Sequence, residues 1–198
     1  MQNATERAKK IKAILTDVDG ILTDGKVNFF LTPEGKIDEF KSFHTQDGIA
    51  AMLCRKAGII LGIITGRRHE TTVRRAESLG YKYMYQGFLT KRLALQDILQ
   101  RENLTAEEVA YIGDDITDLP LLKIVGFGAT VADAVPSVKA AAHFITTREG
   151  GHGAYREIID FILQAQGKLA PLTEAAADGW HFTDKPKMQI VTSQEGIS

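Results

Sequence analysis

Apolar runs of strand length alternate with segments of helical period along most of the chain. Residues 11–16 are such a run, and it stops at Asp17. Residues 27–31 and 37–43 flank Thr32-Pro33-Glu34-Gly35, and this Pro/Gly punctuation predicts a β-hairpin. Asp47 is placed to cap a helix carrying Ile49, Met52, Leu53 and Lys56, with Gly58 to end it. Residues 59–64 predict a buried strand, and 67–79 a helix closed by Gly80. Residues 83–85 predict a short strand, and 91–100 a helix. Thr105 to Glu108 has the spacing of a capping box, ahead of a strand at 109–112. A helix at 118–125, a strand at 127–131 and a short helix capped by Asp133 with Pro136 in its first turn follow. Phe144-Ile145 predicts a last strand, and 154–165 an amphipathic helix stopped by Gly167.

Strands alternating with helices predict an α/β fold, a doubly wound, mostly parallel sheet with the hairpin protruding from it. Residues 1–169 read as one domain. Residues 170–198, with Pro171, Pro186 and no sustained period, read as a weakly structured tail.

Composition narrows the function. The 198 residues carry 24 Lys+Arg against 25 Asp+Glu, a balance unlike that of a dedicated nucleic-acid binder. No apolar run reaches the roughly 20 residues of a membrane span. The first twenty residues develop no apolar core before Asp17, and Cys54 is the single cysteine. A cytoplasmic protein without a secretory leader or disulfides is expected.

In an open parallel sheet, ligands bind beyond the carboxyl ends of the strands. The residues at those ends are chemically pointed. Asp17 and Asp19 follow the first strand, with Gly20 to turn the chain. Two carboxylates that close repel each other unless a cation or proton lies between them. Mg²⁺ suits them, because it takes hard oxygen ligands together with substrate phosphate. Thr65 and Gly66 follow the 59–64 strand and offer a hydroxyl and free N–H groups to a phosphate. Asp114, Asp115 and Asp118 follow the 109–112 strand as a second source of metal ligands. Lys91 opens a helix, where a cation opposes the dipole, so balancing phosphate charge gives it a reason to be there.

The ordered set resembles the haloacid dehalogenase superfamily of aspartate-nucleophile phosphohydrolases: Asp-x-Asp, Thr, Lys, then Gly-Asp-Asp-x-x-Asp. More specific strings are Asp17-Val-Asp-Gly-Ile-Leu-Thr-Asp-Gly25, Ile64-Thr-Gly-Arg67, Tyr85-Gln-Gly87, Ala110-Tyr-Ile-Gly-Asp-Asp115, Gly150-Gly-His-Gly-Ala-Tyr-Arg-Glu157 and Ala165-Gln-Gly-Lys-Leu169. They are similar to the 3-deoxy-D-manno-octulosonate 8-phosphate phosphatase family, in the group without a cap domain. The resemblance implies a Rossmann-like core and hydrolysis of that sugar-acid phosphate, as part of lipopolysaccharide biosynthesis. It implies Asp17 as nucleophile and Asp19 as acid and base. Mg²⁺ would be held by Asp17, the Asp19 carbonyl and Asp114, with Asp115 and Asp118 orienting that shell. Thr65 and Lys91 would hold the phosphoryl group. The substrate would meet Asp19, His44, Thr45, Gln46, Asp47, Gly48, Gly66, Arg67, Arg75 and Lys91. Two positions differ from the family pattern: His44 replaces a more usual Asn, and Met52 stands where an arginine is common.

Neither the 46 residues from Asp19 to Thr65 nor the 26 from Thr65 to Lys91 leave room for a cap. The hairpin carries Val27, Phe29, Phe30, Leu31, Ile37, Phe40 and Phe43. Packing of such hairpins between subunits, in a homotetramer with intersubunit active sites, is what the resemblance implies. The alternatives are a phosphatase for a nonulosonate 9-phosphate, a receiver-like phospho-acceptor and a catalytically silent scaffold. A receiver takes phosphate after its third strand and is about 120 residues long, which this chain does not match.

Overall fold

The computed structural model describes residues 4–177 and 185–193. Its centre is a seven-stranded sheet in which every pairing is parallel. In chain order the strands are β1 (Ala13–Thr16), β4 (Ile60–Thr65), β5 (Tyr83–Gln86), β6 (Val109–Ile112), β7 (Phe127–Thr130), β8 (Phe144–Ile145) and β9 (Gln189–Thr192). Two further strands, β2 (Asn28–Leu31) and β3 (Ile37–Phe40), form a separate antiparallel hairpin. The spatial order is β8-β7-β6-β1-β4-β5-β9. Every residue of β1, β6 and β7 is buried, because helices cover both faces of a parallel sheet.

The helices are α1 (Ala4–Ala8), α2 (Thr45–Lys56), α3 (Glu70–Leu79), α4 (Lys91–Glu102), α5 (Leu119–Leu122), α6 (Pro136–Ala141), α7 (Ala154–Ala165) and α8 (Leu169–Ala177). None is long and apolar enough to cross a membrane. Between β1 and β4 the chain is spent on the hairpin and α2, and between β4 and β5 on α3. No cap domain is present among the described residues. From β1 the chain proceeds to β4 on one side and later to β6 on the other, so β1 lies at the switch point where ligands bind.

Residues 178–184 and 194–198 of the tail lie outside the described residues, and its described part departs from the weak structure its sequence pattern predicts. Leu169–Ala177 is helical, and Gln189–Thr192 adds a parallel edge strand to β5, with Tyr83 opposite Gln189. Edge pairing comes from backbone groups. The Gln189 N–H donates to Lys82 O at 2.9 Å and the Ser193 N–H to Gln86 O at 3.1 Å. A four-residue strand with most of its side chains exposed leaves little hydrophobic periodicity to read. Two caps also differ. His44, not Asp47, caps α2 through Nδ1, while Asp47 is buried in the first turn and accepts the Arg156 N–H at 2.9 Å. Asp133 caps no helix; it accepts the Gly150 N–H at 2.9 Å, and Val135 precedes α6. In both cases a tertiary N–H outcompetes the local one. Helix α3 starts at Glu70, because His69 takes the cap and Arg67 and Arg68 are held in the preceding loop.

Slow amide exchange at Gln189 and Ser193, protected at least tenfold over an unstructured chain, is expected for a paired β9. Exchange at the random-coil rate, followed by mass spectrometry or NMR, would restore the unstructured tail.

Candidate active site

At the carboxyl end of β1 the chain turns through Gly20, whose φ is +85°. A Cβ there would lie 2.1 Å from Asp114 Oδ2, so only glycine allows the β1 and β6 loops to meet. Gly150 closes the other side: a Cβ on it would lie 1.8 Å from Gly20 O. The Gly150–Gly153 loop therefore rests on its own chain's β1 loop, and the Gly151 N–H donates to Ile21 O at 2.9 Å.

These contacts converge four charged groups. Lys91 Nζ lies 2.7 Å from Asp17 Oδ2 and 2.6 Å from Asp118 Oδ1, with its side chain only 2% exposed. The two ion pairs explain a lysine at the start of α4, where the dipole opposes it. Asp118 is fully buried. Its Oδ1 also accepts the Tyr111 hydroxyl at 2.5 Å, and its Oδ2 accepts the N–H groups of Asp114 and Asp115 at 3.0 and 3.2 Å. Asp118 thus holds both Lys91 and the Asp114 backbone in place. Asp17 Oδ1 accepts the Val18 N–H at 2.7 Å. Thr65 is buried at the end of β4, where its Oγ1 accepts the Arg67 N–H at 3.3 Å. Asp115 caps the 3₁₀ turn Ile116–Asp118 through its side chain.

Negative charge exceeds positive here. Burial, joined by Asp118 and only partly offset by Lys91, raises the Asp17 pKa to about 6. Burial, then Asp17 and Asp118, raises Asp114 to about 8. Lys91 is pushed the other way: burial lowers its pKa, but Asp17 and Asp118 outweigh that and raise it. Carboxylate oxygens of Asp17, Asp114 and Asp118 lie within 4.8 Å of one another. Asp114 Oδ1 is buried with no hydrogen-bond partner. A hard divalent cation fits this donor set, since it supplies the missing charge and a partner for Asp114.

Asp17, Asp19, Thr65, Gly66, Arg67, Lys91, Asp114 and Asp115 line one cleft of about 280 Å³, joined by Gly25, Leu89 and Thr117. The other expected substrate residues lie elsewhere. His44, Asp47, Gly48 and Arg75 line a separate small cavity beside Phe43. Arg75 Nη2 donates to His44 O at 3.4 Å, and its guanidinium lies 5.8 Å from the Phe43 ring centre. Gln46 accepts from Arg148 at 2.7 Å, and Thr45 is exposed at the start of α2.

The sequence reading missed Lys41 and Glu39. Lys41 bonds to Asp19 Oδ1, and Glu39 Oε2 receives Arg67 Nη2 at 2.5 Å. Their one signal in the sequence is two charges at alternate positions where an apolar hairpin strand ends.

The family profile for haloacid dehalogenase-like hydrolases matches residues 84–158. The 3-deoxy-D-manno-octulosonate 8-phosphate phosphatase of Haemophilus influenzae is 40% identical over 163 residues, covering 82% of this chain and 88% of its own. The Escherichia coli K12 protein of the same name is 38% identical over 163 residues, covering 82% and 85%. The crystal structure of the Moraxella catarrhalis phosphatase of that name, in complex with magnesium ion, phosphate ion and a KDO molecule, is 38% identical. It superposes with a TM-score of 0.82 over 87% of this chain and 97% of its own. With the carboxylates, the lysine and the threonine gathered at one sheet end, the chain belongs to the haloacid dehalogenase-like hydrolases, in the 3-deoxy-D-manno-octulosonate 8-phosphate phosphatase family.

Proposed function

We propose that the chain hydrolyses 3-deoxy-D-manno-octulosonate 8-phosphate to the free sugar acid and phosphate, through an aspartyl-phosphate on Asp17. The observation that carries this is the buried Lys91 between Asp17 and Asp118, beside an Asp114 oxygen that lacks a partner. Asp17 Oδ2 faces Lys91 in the cleft and attacks phosphorus, dividing one difficult displacement into two. Asp19 gives a proton to the leaving sugar oxygen and later takes one from water. Lys91 and Thr65 hold the transferring oxygens, and phosphoryl transfer depends on this positioning and charge neutralisation. Asp17, the Asp19 carbonyl and Asp114 would hold Mg²⁺, while Asp118 fixes the Asp114 backbone and Asp115 caps the turn that carries Asp118. When bound, Mg²⁺ offsets the carboxylates and stabilises the charge on the phosphoryl oxygens. Arg67, at the cleft wall with Nη2 held by Glu39, keeps its remaining N–H groups for the sugar carboxylate.

At about 280 Å³ the cleft sits at the low end of the roughly 300–1,000 Å³ of most small-molecule sites. The hairpin meanwhile shows Phe29, Leu31 and Ile37 65–76% exposed, more apolar surface than a lone two-stranded ribbon holds stably. Packing of hairpins in a homotetramer addresses both, and His44, Thr45, Gln46 and Arg75 then reach substrate only across a subunit boundary. A cytoplasmic location completes the reading, in keeping with Cys54 as a buried free thiol.

The direct test is phosphate release with Mg²⁺ across octulosonate and nonulosonate phosphates. A kcat/KM at least about tenfold higher for the octulosonate ester is expected, and Asp17→Asn should lose a factor on the order of 10⁴ or more. Equal release from all sugar phosphates would remove the substrate assignment, and an active Asp17→Asn would remove the mechanism. Metal binding gives a second check. At Asp17 and Asp114, whose pKa values are raised, the folded, metal-free protein holds more protons than the unfolded chain from about pH 4 to 8. The contribution of these two carboxyls to stability therefore falls as pH rises through that window, and Mg²⁺ competes with their protons. The Tm increase on adding Mg²⁺ should be larger at pH 8 than at pH 6; an equal or reversed increase contradicts the site. Light scattering should return four times the 21.8 kDa chain mass, and a fully active monomer would refute the assembly.

A further inference from the structure

The hairpin is inverted relative to ordinary burial. None of residues 25–40 is buried, although they include Phe29, Leu31 and Ile37, whereas Lys41, the first residue after β3, is buried. Its side chain is 2% exposed. A buried ammonium is kept only where carboxylates compensate it. Here they are Asp19, bonded through Oδ1, and Glu39, whose Oε1 is 3.7 Å away. Glu39 Oε2 is itself anchored to Arg67 Nη2 at 2.5 Å. The Asp19 side chain is 26% exposed at the cleft, and Lys41 engages one of its two oxygens.

We propose that Lys41 is the positioning residue for Asp19, holding its carboxyl group in a single rotamer toward the leaving oxygen, with Glu39, 3.7 Å away, helping to balance the buried ammonium. This rests on Asp19 as the acid and base proposed above. In the first step an Asp17 oxygen bonds to phosphorus, and the bond from phosphorus to the sugar oxygen breaks with its electron pair on that oxygen. The Asp19 proton moves to it. Asp19 is left as a carboxylate with the Lys41 ammonium beside it. In the second step Asp19 takes a proton from the water that bonds to phosphorus, and the bond to Asp17 breaks with its electrons returning to the Asp17 carboxylate. A swinging Asp19 would meet neither oxygen reliably. The hairpin thereby does more than offer an apolar surface: the chain segment that ends it sets the geometry of the acid.

The experiment compares kcat/KM, which reports only steps through formation of the aspartyl-phosphate, for two leaving groups. One is the sugar phosphate that the wild type turns over fastest, whose alkoxide needs a proton. The other is p-nitrophenyl phosphate, whose phenolate departs without one. Lys41→Met should lose roughly 10- to 100-fold on the sugar phosphate and less than about threefold on the aryl ester, a part of the usual general-acid contribution. Lys41→Arg should recover most of the loss. Equal losses on both esters, or no loss on either, would overturn the proposal. Should Lys41→Met prove insoluble, Lys41→Gln, which can hydrogen-bond Asp19 without the charge, is read by the same ratio. Asp19→Asn separates the two levels. If it shows no leaving-group dependence, the acid assignment itself fails. If it shows that dependence and the Lys41 variants do not, only the positioning role fails.

Discussion

A lysine ammonium buried between two aspartates is the interaction on which the rest of the site depends. Lys91 cannot stay charged away from water without Asp17 and Asp118, and those carboxylates cannot stay close without it. Three strands must be correctly placed for this group to form. Asp17 follows β1, Asp118 follows β6, and Lys91 opens the helix after β5. The sheet order, with β1 between β4 and β6, brings those ends together, and the glycines at 20 and 150 let the loops approach. One ammonium still leaves the cluster negative. The high pKa values of Asp17 and Asp114 and the unpartnered Asp114 oxygen are two expressions of that same deficit. A divalent cation restores the balance and lets a phosphate anion approach, and this links the fold's electrostatics to phosphoryl chemistry.

A second constraint concerns where apolar surface goes. The parallel sheet is sealed by helices on both faces, yet the hairpin stands apart with its aromatic residues outward and a lysine inward. These features belong together. Glu39 and Lys41 tie the hairpin's base to Asp19 and Arg67, so its exposed face and the cleft share one strand. Whatever covers the hairpin also bears on the geometry of the site.

Much of the fold was legible in the sequence because parallel strands buried on both faces are short continuous apolar runs, as at 59–64 and 109–112. The residues bounding them were legible as chemistry for the same reason: Asp17, Thr65 and Asp114 interrupt those runs abruptly. What escaped notice depends on long-range pairing. β9 is defined by backbone bonds to β5 across more than a hundred residues, and its side chains are mostly exposed. Asp47 and Asp133 read as helix caps because local N–H groups are near in sequence, and only the folded chain brings the Arg156 and Gly150 N–H groups to them. Lys41 was invisible because a charged residue at a strand end is ordinarily solvated. Arg75, which the sequence pattern offers to substrate, donates in the protomer to His44 O and lies over the Phe43 ring.

The central claim is that Asp17 becomes phosphorylated during turnover, and trapping the intermediate tests it most directly. Protein mixed with Mg²⁺ and octulosonate 8-phosphate, quenched in acid within milliseconds and reduced with borohydride, should yield homoserine at position 17 by peptide mass spectrometry. No modification should appear in Asp17→Asn. Turnover that leaves position 17 unmodified at every quench time, or homoserine at a different aspartate, would contradict the account.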